Sequence, residues 1–195
     1  MDRPRPPLTN VGEEMKKQII TMVTSIILTL SSAWSASYKV NQGEVEFTAK
    51  GFPTFITISG KSQNVSGELG LVGKKAQGKF KLPLNTLKTG MDLRDEHMTQ
   101  KYLEVGKFPE ATLTLNEFDL RDSGEVQGLL KLHNVEKPIR ITYESELTET
   151  GIIIKTEFSL QLSDYGIDIP SFQGITVAKD IKLRVAFSTG GPDGN

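Results

Sequence analysis

Apolar residues recur at every second position over most of the chain after residue 40. That alternation is what a β-strand with one buried face produces. The rows are Val45, Phe47 and Ala49; Ile56 and Ile58; Phe80, Leu82 and Leu84; and Ala111, Leu113 and Leu115. They continue with Val126, Leu130 and Leu132; Ile139, Ile141 and Tyr143; Ile154, Phe158, Leu160 and Leu162; and Ile181, Leu183, Val185 and Phe187. Val65, Gly67 and Leu69 form a weaker row. Polar residues fill the places between, such as Lys79, Lys81, Arg140, Thr142 and Glu144, so one face of the sheet meets water. Turn-forming stretches separate the rows: Lys50-Gly51-Phe52-Pro53, Asp122-Ser123-Gly124 and Glu149-Thr150-Gly151. The pattern predicts an all-β fold of about eight antiparallel strands, a barrel or a sandwich. Closure is favoured, because an open sheet of that width leaves two edges exposed to aggregation.

Residues 89–106 break the rhythm and predict a short helix inserted between strands. Asp92 suits the N-cap, Asp95 and Glu96 suit the first turn, and Met98 and Tyr102 share a face. Gly106 is a fitting stop before Phe108-Pro109. The last residues, 190–195, are rich in glycine and predict a flexible tail.

The start of the chain follows a different logic. Met15-Lys16-Lys17 precedes an uncharged run from Ile19 to Leu30 and then Ser31-Ser32-Ala33-Trp34-Ser35-Ala36. This is the order of a secretory signal, with small residues at Ala33 and Ser35 that favour cleavage after Ser35; cleavage after Ala36 ranks second. A membrane-spanning helix needs about 20 apolar residues, more than this run offers. Residues 15–35 are therefore expected to be a signal peptide, and the protein to be periplasmic or secreted. Residues 1–14, polar and proline-rich, then have no evident role; they read as a leader or a mis-assigned start, with Met15 the expected first residue. Losing residues 1–35 removes four cations (Arg3, Arg5, Lys16, Lys17) and three anions (Asp2, Glu13, Glu14).

Composition narrows the function. The 195 residues carry 23 Lys+Arg against 24 Asp+Glu, which lacks the cationic surplus that nucleic-acid binding requires. The absence of cysteine excludes disulfides, thiolate nucleophiles, cysteine-bound metal and a lipobox anchor. The two histidines, His97 and His133, stand far apart, and no HxH, HExxH or GxSxG pattern is present. No catalytic residue, metal or cofactor is expected. His133, beside Asn134 at a strand turn, reads as a surface residue.

Four stretches carry a resemblance. Arg94-Asp95-Glu96-His97-Met98 with Tyr102-Leu103 and Lys107-Phe108-Pro109-Glu110-Ala111-Thr112 is one; Gly128–Ile139, containing Lys137-Pro138, is another. Ser163-Asp164-Tyr165-Gly166-Ile167 and Val177-Ala178-Lys179-Asp180-Ile181 complete the set, in the order found in the YceI-like family. The chain resembles that family over about 150 residues, assigned here to 36–189. It departs at Gly43–Phe47, which lacks the histidine frequent in the family's first strand. Asn134 stands for a turn glycine, and 51–71 matches poorly. The resemblance implies a lipocalin-like closed barrel around a long isoprenoid chain.

On that reading the candidate ligand-binding residues are Phe47, Phe55, Phe80, Leu82, Leu113, Phe158 and Phe187 in the interior, with Arg94, His97, Met98, Tyr102 and Phe108 near the helix. Phe118 and Phe172 are further aromatic candidates for the interior. Arg94 and His97 offer donors to a phosphate-like head group, or else pair with Asp95 simply to pin the helix across the barrel mouth. The expected partner is a long-chain isoprenoid or other lipid. The alternatives are a filled barrel acting on an envelope protein through its loops, and, third, an enzyme using His97 as acid/base; a homodimer stays open.

Overall fold

The computed structural model describes residues 36–53, 56–121, 123–172 and 174–191. The expected leader and signal, Phe55 and tail residues 192–195 lie outside the described residues. The strands are β1 (Ala36–Phe52), β2 (Thr57–Ser62), β3 (Ser66–Val72), β4 (Lys75–Pro83) and β5 (Glu110–Asp119). They continue as β6 (Ser123–Leu132), β7 (Val135–Thr148), β8 (Gly151–Gln161), β9 (Ser171–Phe172) and β10 (Ile175–Thr189). Hydrogen-bonded neighbours run β1, β3, β4, β5, β6, β7, β8 and β10, and β10 pairs with β1. All these pairings are antiparallel, so the expected closed eight-stranded barrel forms.

Closure rests on the two longest strands, which pair from Val40–Thr189 to Phe52–Thr176. β2 and β3 are one strand interrupted. Both lie on the same edge of β1 in one register, with Lys50 opposite Thr57 and Lys39 opposite Glu68. At the break Val65 leans onto β1, where a Cβ on Gly43 would stand 2.6 Å from the Val65 Cβ. This explains the weak row in the sequence: Val65 sits in the interruption, whereas Leu69 is wholly buried in β3. Leu84 and Leu162, read as strand ends, instead begin short 3₁₀ turns at Leu84–Thr86 and Leu162–Tyr165.

The β6–β7 connection is a two-residue hairpin, His133-Asn134, closed by the Leu132–Val135 pair. Both residues have positive φ, 51° and 60°, as a type I′ turn requires, and asparagine tolerates that region. Past Leu115 and Gly128, β5 no longer pairs with β6. There the wall is held by the Phe118 ring against Tyr143, 5.1 Å between centroids, and by the Tyr143 hydroxyl donating to the Asp119 carbonyl at 2.7 Å. Leu69, Ile141, Ile152 and Ile154, all but inaccessible to water, mark the packed core at this end.

The expected helix is present as α1 (Asp92–Glu96), continued by a π-helical turn over His97–Tyr102. Its start differs from the expectation. Met91, extended, is the N-cap, and Asp92 is the first helical residue. Asp95 instead does the anchoring, accepting from the Thr89 backbone N–H at 2.8 Å and the Thr89 hydroxyl at 2.5 Å. The helical run also ends before Gly106: the chain turns out through Glu104 at φ 44°.

Candidate functional site

The barrel interior has two storeys. The upper one is a cavity of about 450 Å³, within the range of about 300–1,000 Å³ usual for ligand sites. Its wall is Val45, Phe47 and Ala49 of β1, Ile58 of β2, Leu82 of β4, Ala111 of β5, Leu130 and Leu132 of β6, Leu160 of β8, and Ile181 and Leu183 of β10. These are the inward positions of the alternating rows. The lower storey is filled. One or two steps down the same rows come Phe80, Leu115, Phe158 and Phe187, all buried and none on the cavity wall. Phe80 and Phe187 meet there with ring centroids 4.7 Å apart and planes at 41°.

The roof is the connection between β4 and β5, tied down along its length. Leu84 N–H donates to the Pro109 carbonyl at 2.9 Å, and Lys88 and Lys61 exchange backbone hydrogen bonds at 2.8 and 2.9 Å. The Thr86 hydroxyl donates to the Pro83 carbonyl and lies 2.6 Å from the Ser62 hydroxyl. Farther along, the Arg94 Nε donates to the Thr89 hydroxyl at 2.9 Å and Nη2 to the Thr89 carbonyl at 3.0 Å. Arg94 and buried Asp95 therefore meet at Thr89. A guanidinium has five donors, so Arg94 keeps three for other partners. Tyr102 spans to β9, its hydroxyl accepting from Ser171 N–H at 3.2 Å and lying 3.3 Å from the Ser171 carbonyl.

The wall's polar side chains, Thr89, Arg94, His97, Tyr102 and Ser171, all belong to this roof or to β9 beside it. Below them the wall is aliphatic and aromatic. Ile56, Met91 and Leu93 line the cavity and are also exposed, Met91 by 57 % and Leu93 by 52 %, which marks the open mouth. Among the described residues no group of three or more metal-ligating side chains converges, and no helix is long and apolar enough to cross a membrane.

Of the candidates read from the sequence, Phe47, Leu82, Arg94, His97, Met98 and Tyr102 come together on the cavity wall. Phe80, Phe158 and Phe187 lie in the filled storey. Leu113, half-buried and off the cavity wall, stands between the two storeys, opposite Phe80 on β4 and Leu130 on β6. Phe118 closes the lower end against Tyr143, and Phe172 belongs to β9. Phe108 stands apart, its ring edge-on to His133 at 4.2 Å between centroids. His133, expected at the surface, is mostly buried, with 12 % of its side chain accessible. Its Nδ1 lies 3.2 Å from the Tyr165 carbonyl and its Nε2 3.0 Å from Glu104. Lys107, bonded to the other Glu104 oxygen, and then His133 hold the Glu104 carboxyl below its ordinary range. This cluster fastens the end of the roof to the β6–β7 turn.

Sequence reading missed Thr89 and Ser171, which carry no periodic or spacing signal. It also did not single out Ala111, Leu130, Leu132, Leu160 and Ile181 as cavity residues. Alternation tells which face a side chain takes, not its height in the barrel.

Solved structures share this architecture. A polyisoprenoid binding domain from Saccharophagus degradans superposes with a TM-score of 0.64 at 16 % identity, covering 81 % of this chain and all of that one. BcnA of Burkholderia cenocepacia gives 0.65 at 9 % identity, over 75 % of this chain and 95 % of that one. The Campylobacter jejuni YCEI protein gives 0.53 at 14 % identity, over 70 % and 85 %. In sequence, UPF0312 protein YE1254 of Yersinia enterocolitica is 34 % identical over 138 residues, 66 % of this chain and 70 % of that protein. The profile of the YceI-like domain matches residues 37–189, which is the whole barrel, and the chain belongs to the YceI-like family.

Proposed function

We propose that this protein is a lipid-binding barrel that holds the hydrocarbon chain of a polyisoprenoid-type ligand in its upper cavity. The observation that carries the reading is the segregation of the cavity wall: aliphatic and aromatic below, polar only at the roof and β9. A long apolar chain with one polar end fits that division. The polyisoprenoid binding domain that shares the fold supports the ligand class. Burial supplies the affinity. At about 0.8 kcal/mol per methylene, ten buried equivalents contribute roughly 8 kcal/mol before the chain's lost freedom is subtracted. Arg94, with donors to spare, and His97 meet the polar end; the role is binding, not catalysis. The signal-like residues 15–35 support action in the periplasm or outside the cell.

Extraction of the protein, purified from its native envelope, with organic solvent and mass spectrometry of the extract tests this. A long-chain isoprenoid or similar lipid near one per barrel is the expected result. An empty extract from a folded barrel overturns it and favours a protein that acts through its outer loops.

A further inference from the structure

The floor of the cavity is built as firmly as its roof. Phe80 and Phe187 reach across the barrel from β4 and β10. Two glycines clear the space for the Phe80 ring: a Cβ on Gly78 would stand 2.6 Å from Phe80 Cε2, and one on Gly67 2.8 Å from Phe80 Cδ1. Gly67 also has φ 155°, a backbone state that side chains disfavour. Ile154, paired with Phe187, and Leu69, one step beyond the Gly67–Phe80 pair, are almost completely buried, so no chain passes through to the other end.

We infer that the Phe80–Phe187 layer is a depth stop that limits how much of an apolar chain the barrel can hold. This deepens the lipid-binding reading and rests on it. From Ile175 at the mouth to Leu183 at the floor, β10 covers on the order of 20 Å along the barrel axis, taking about 3.3 Å per residue and a tilt of about 40°. With the polar side chains of the wall at the opposite end, the tail end points to Leu82 and Leu183, the lining residues above the two rings on β4 and β10. A chain longer than the cavity keeps its extra units in water at the mouth. The ligand class is therefore a single-headed chain of bounded length, with Phe80 and Phe187 determining the bound.

The test is extraction of prenols of increasing length (geraniol, farnesol, geranylgeraniol and longer polyprenols) from phosphatidylcholine vesicles by the delipidated full-length barrel. A unit that fits exchanges bilayer for cavity at little net cost, while a unit beyond the stop leaves the bilayer for water. Extraction should therefore hold steady and then fall by at least about tenfold for each further isoprene unit. Phe80→Ala should move the fall to a longer prenol. Leu183→Trp, which fills the cavity just above the floor, should move it to a shorter one. Circular dichroism checks both folds; if Phe80→Ala does not fold, Phe187→Leu and Leu183→Trp carry the comparison. An unchanged limit in the folded variants, or no limit in the parent, overturns the depth stop. Failure to extract any prenol overturns the lipid-binding reading itself, a different outcome.

Discussion

Leu82 and Phe80 point inward from the same strand, two residues apart, yet one faces a cavity and the other a filled core. The upper and lower storeys of the barrel share strands and alternation. They differ in side-chain volume against the available space. Below, two facing phenylalanines and the surrounding aliphatics fill the section. Above, Ala49 and Ala111 stand among leucines and the section stays open. A barrel of this strand number is at the size where side chains either just fill the interior or leave room for one small ligand. This protein does both, one above the other.

The difference is sharpest in large-to-small substitutions. Phe80→Ala should cost about 3–5 kcal/mol in the delipidated protein, because it opens a void in a packed layer. Leu82→Ala should cost less than about 2 kcal/mol, since its side chain already borders open space. Urea unfolding of the two variants measures this; equal costs would erase the distinction between storeys. Small-to-large changes should show the mirror image. Leu113→Trp, set against Phe80 and Leu130, should overpack and cost about 1–3 kcal/mol. Leu183→Trp should leave the delipidated melting temperature nearly unchanged while lowering the amount of long-chain lipid that co-purifies. The delipidated comparison is needed because bound ligand raises apparent stability.

A smaller effect should appear at the roof. Thr89→Val deletes the hydroxyl that serves both Arg94 and Asp95, at a cost of about 1–2 kcal/mol. Hydrogen exchange should quicken over residues 91–103 and stay slow in the lower strands. Uniform quickening would show that the roof is not a separate unit. The smallest effect is in pH. The Glu104 carboxyl titrates lower folded than unfolded, so its contribution to stability is present above the ordinary glutamate value of about 4.3 and is lost as pH falls through the folded value. Asp119, held down by Lys75 and then Arg121, and Glu157, held down by Lys182 and then Arg184, act in the same sense on the barrel wall. Glu104→Gln should remove part of the acid sensitivity in urea titrations, and the wall pairs should retain the rest. An acid profile identical to the parent's would show that the Glu104 carboxylate, with Lys107 and His133, adds nothing to the acid sensitivity.

The strands, their inward faces and the closing logic are properties of period-two alternation, and they were readable from the chain alone. So were the inserted helix, which Asp92, Asp95 and Glu96 announce, and the strand turn at His133-Asn134. The family landmarks marked Arg94, His97 and Tyr102 as candidate ligand-binding residues before any packing was known. What alternation does not encode is height. Phe80 and Leu82 look alike in sequence, and which of them meets empty space depends on register between strands distant along the chain. The same holds for His133, whose turn suggested the surface: Glu104, Phe108 and Tyr165 enclose it only once three separate segments are brought together. Local pattern determined which side chains turn inward; tertiary packing alone decided where the barrel is hollow, because volume is summed across strands and not along them.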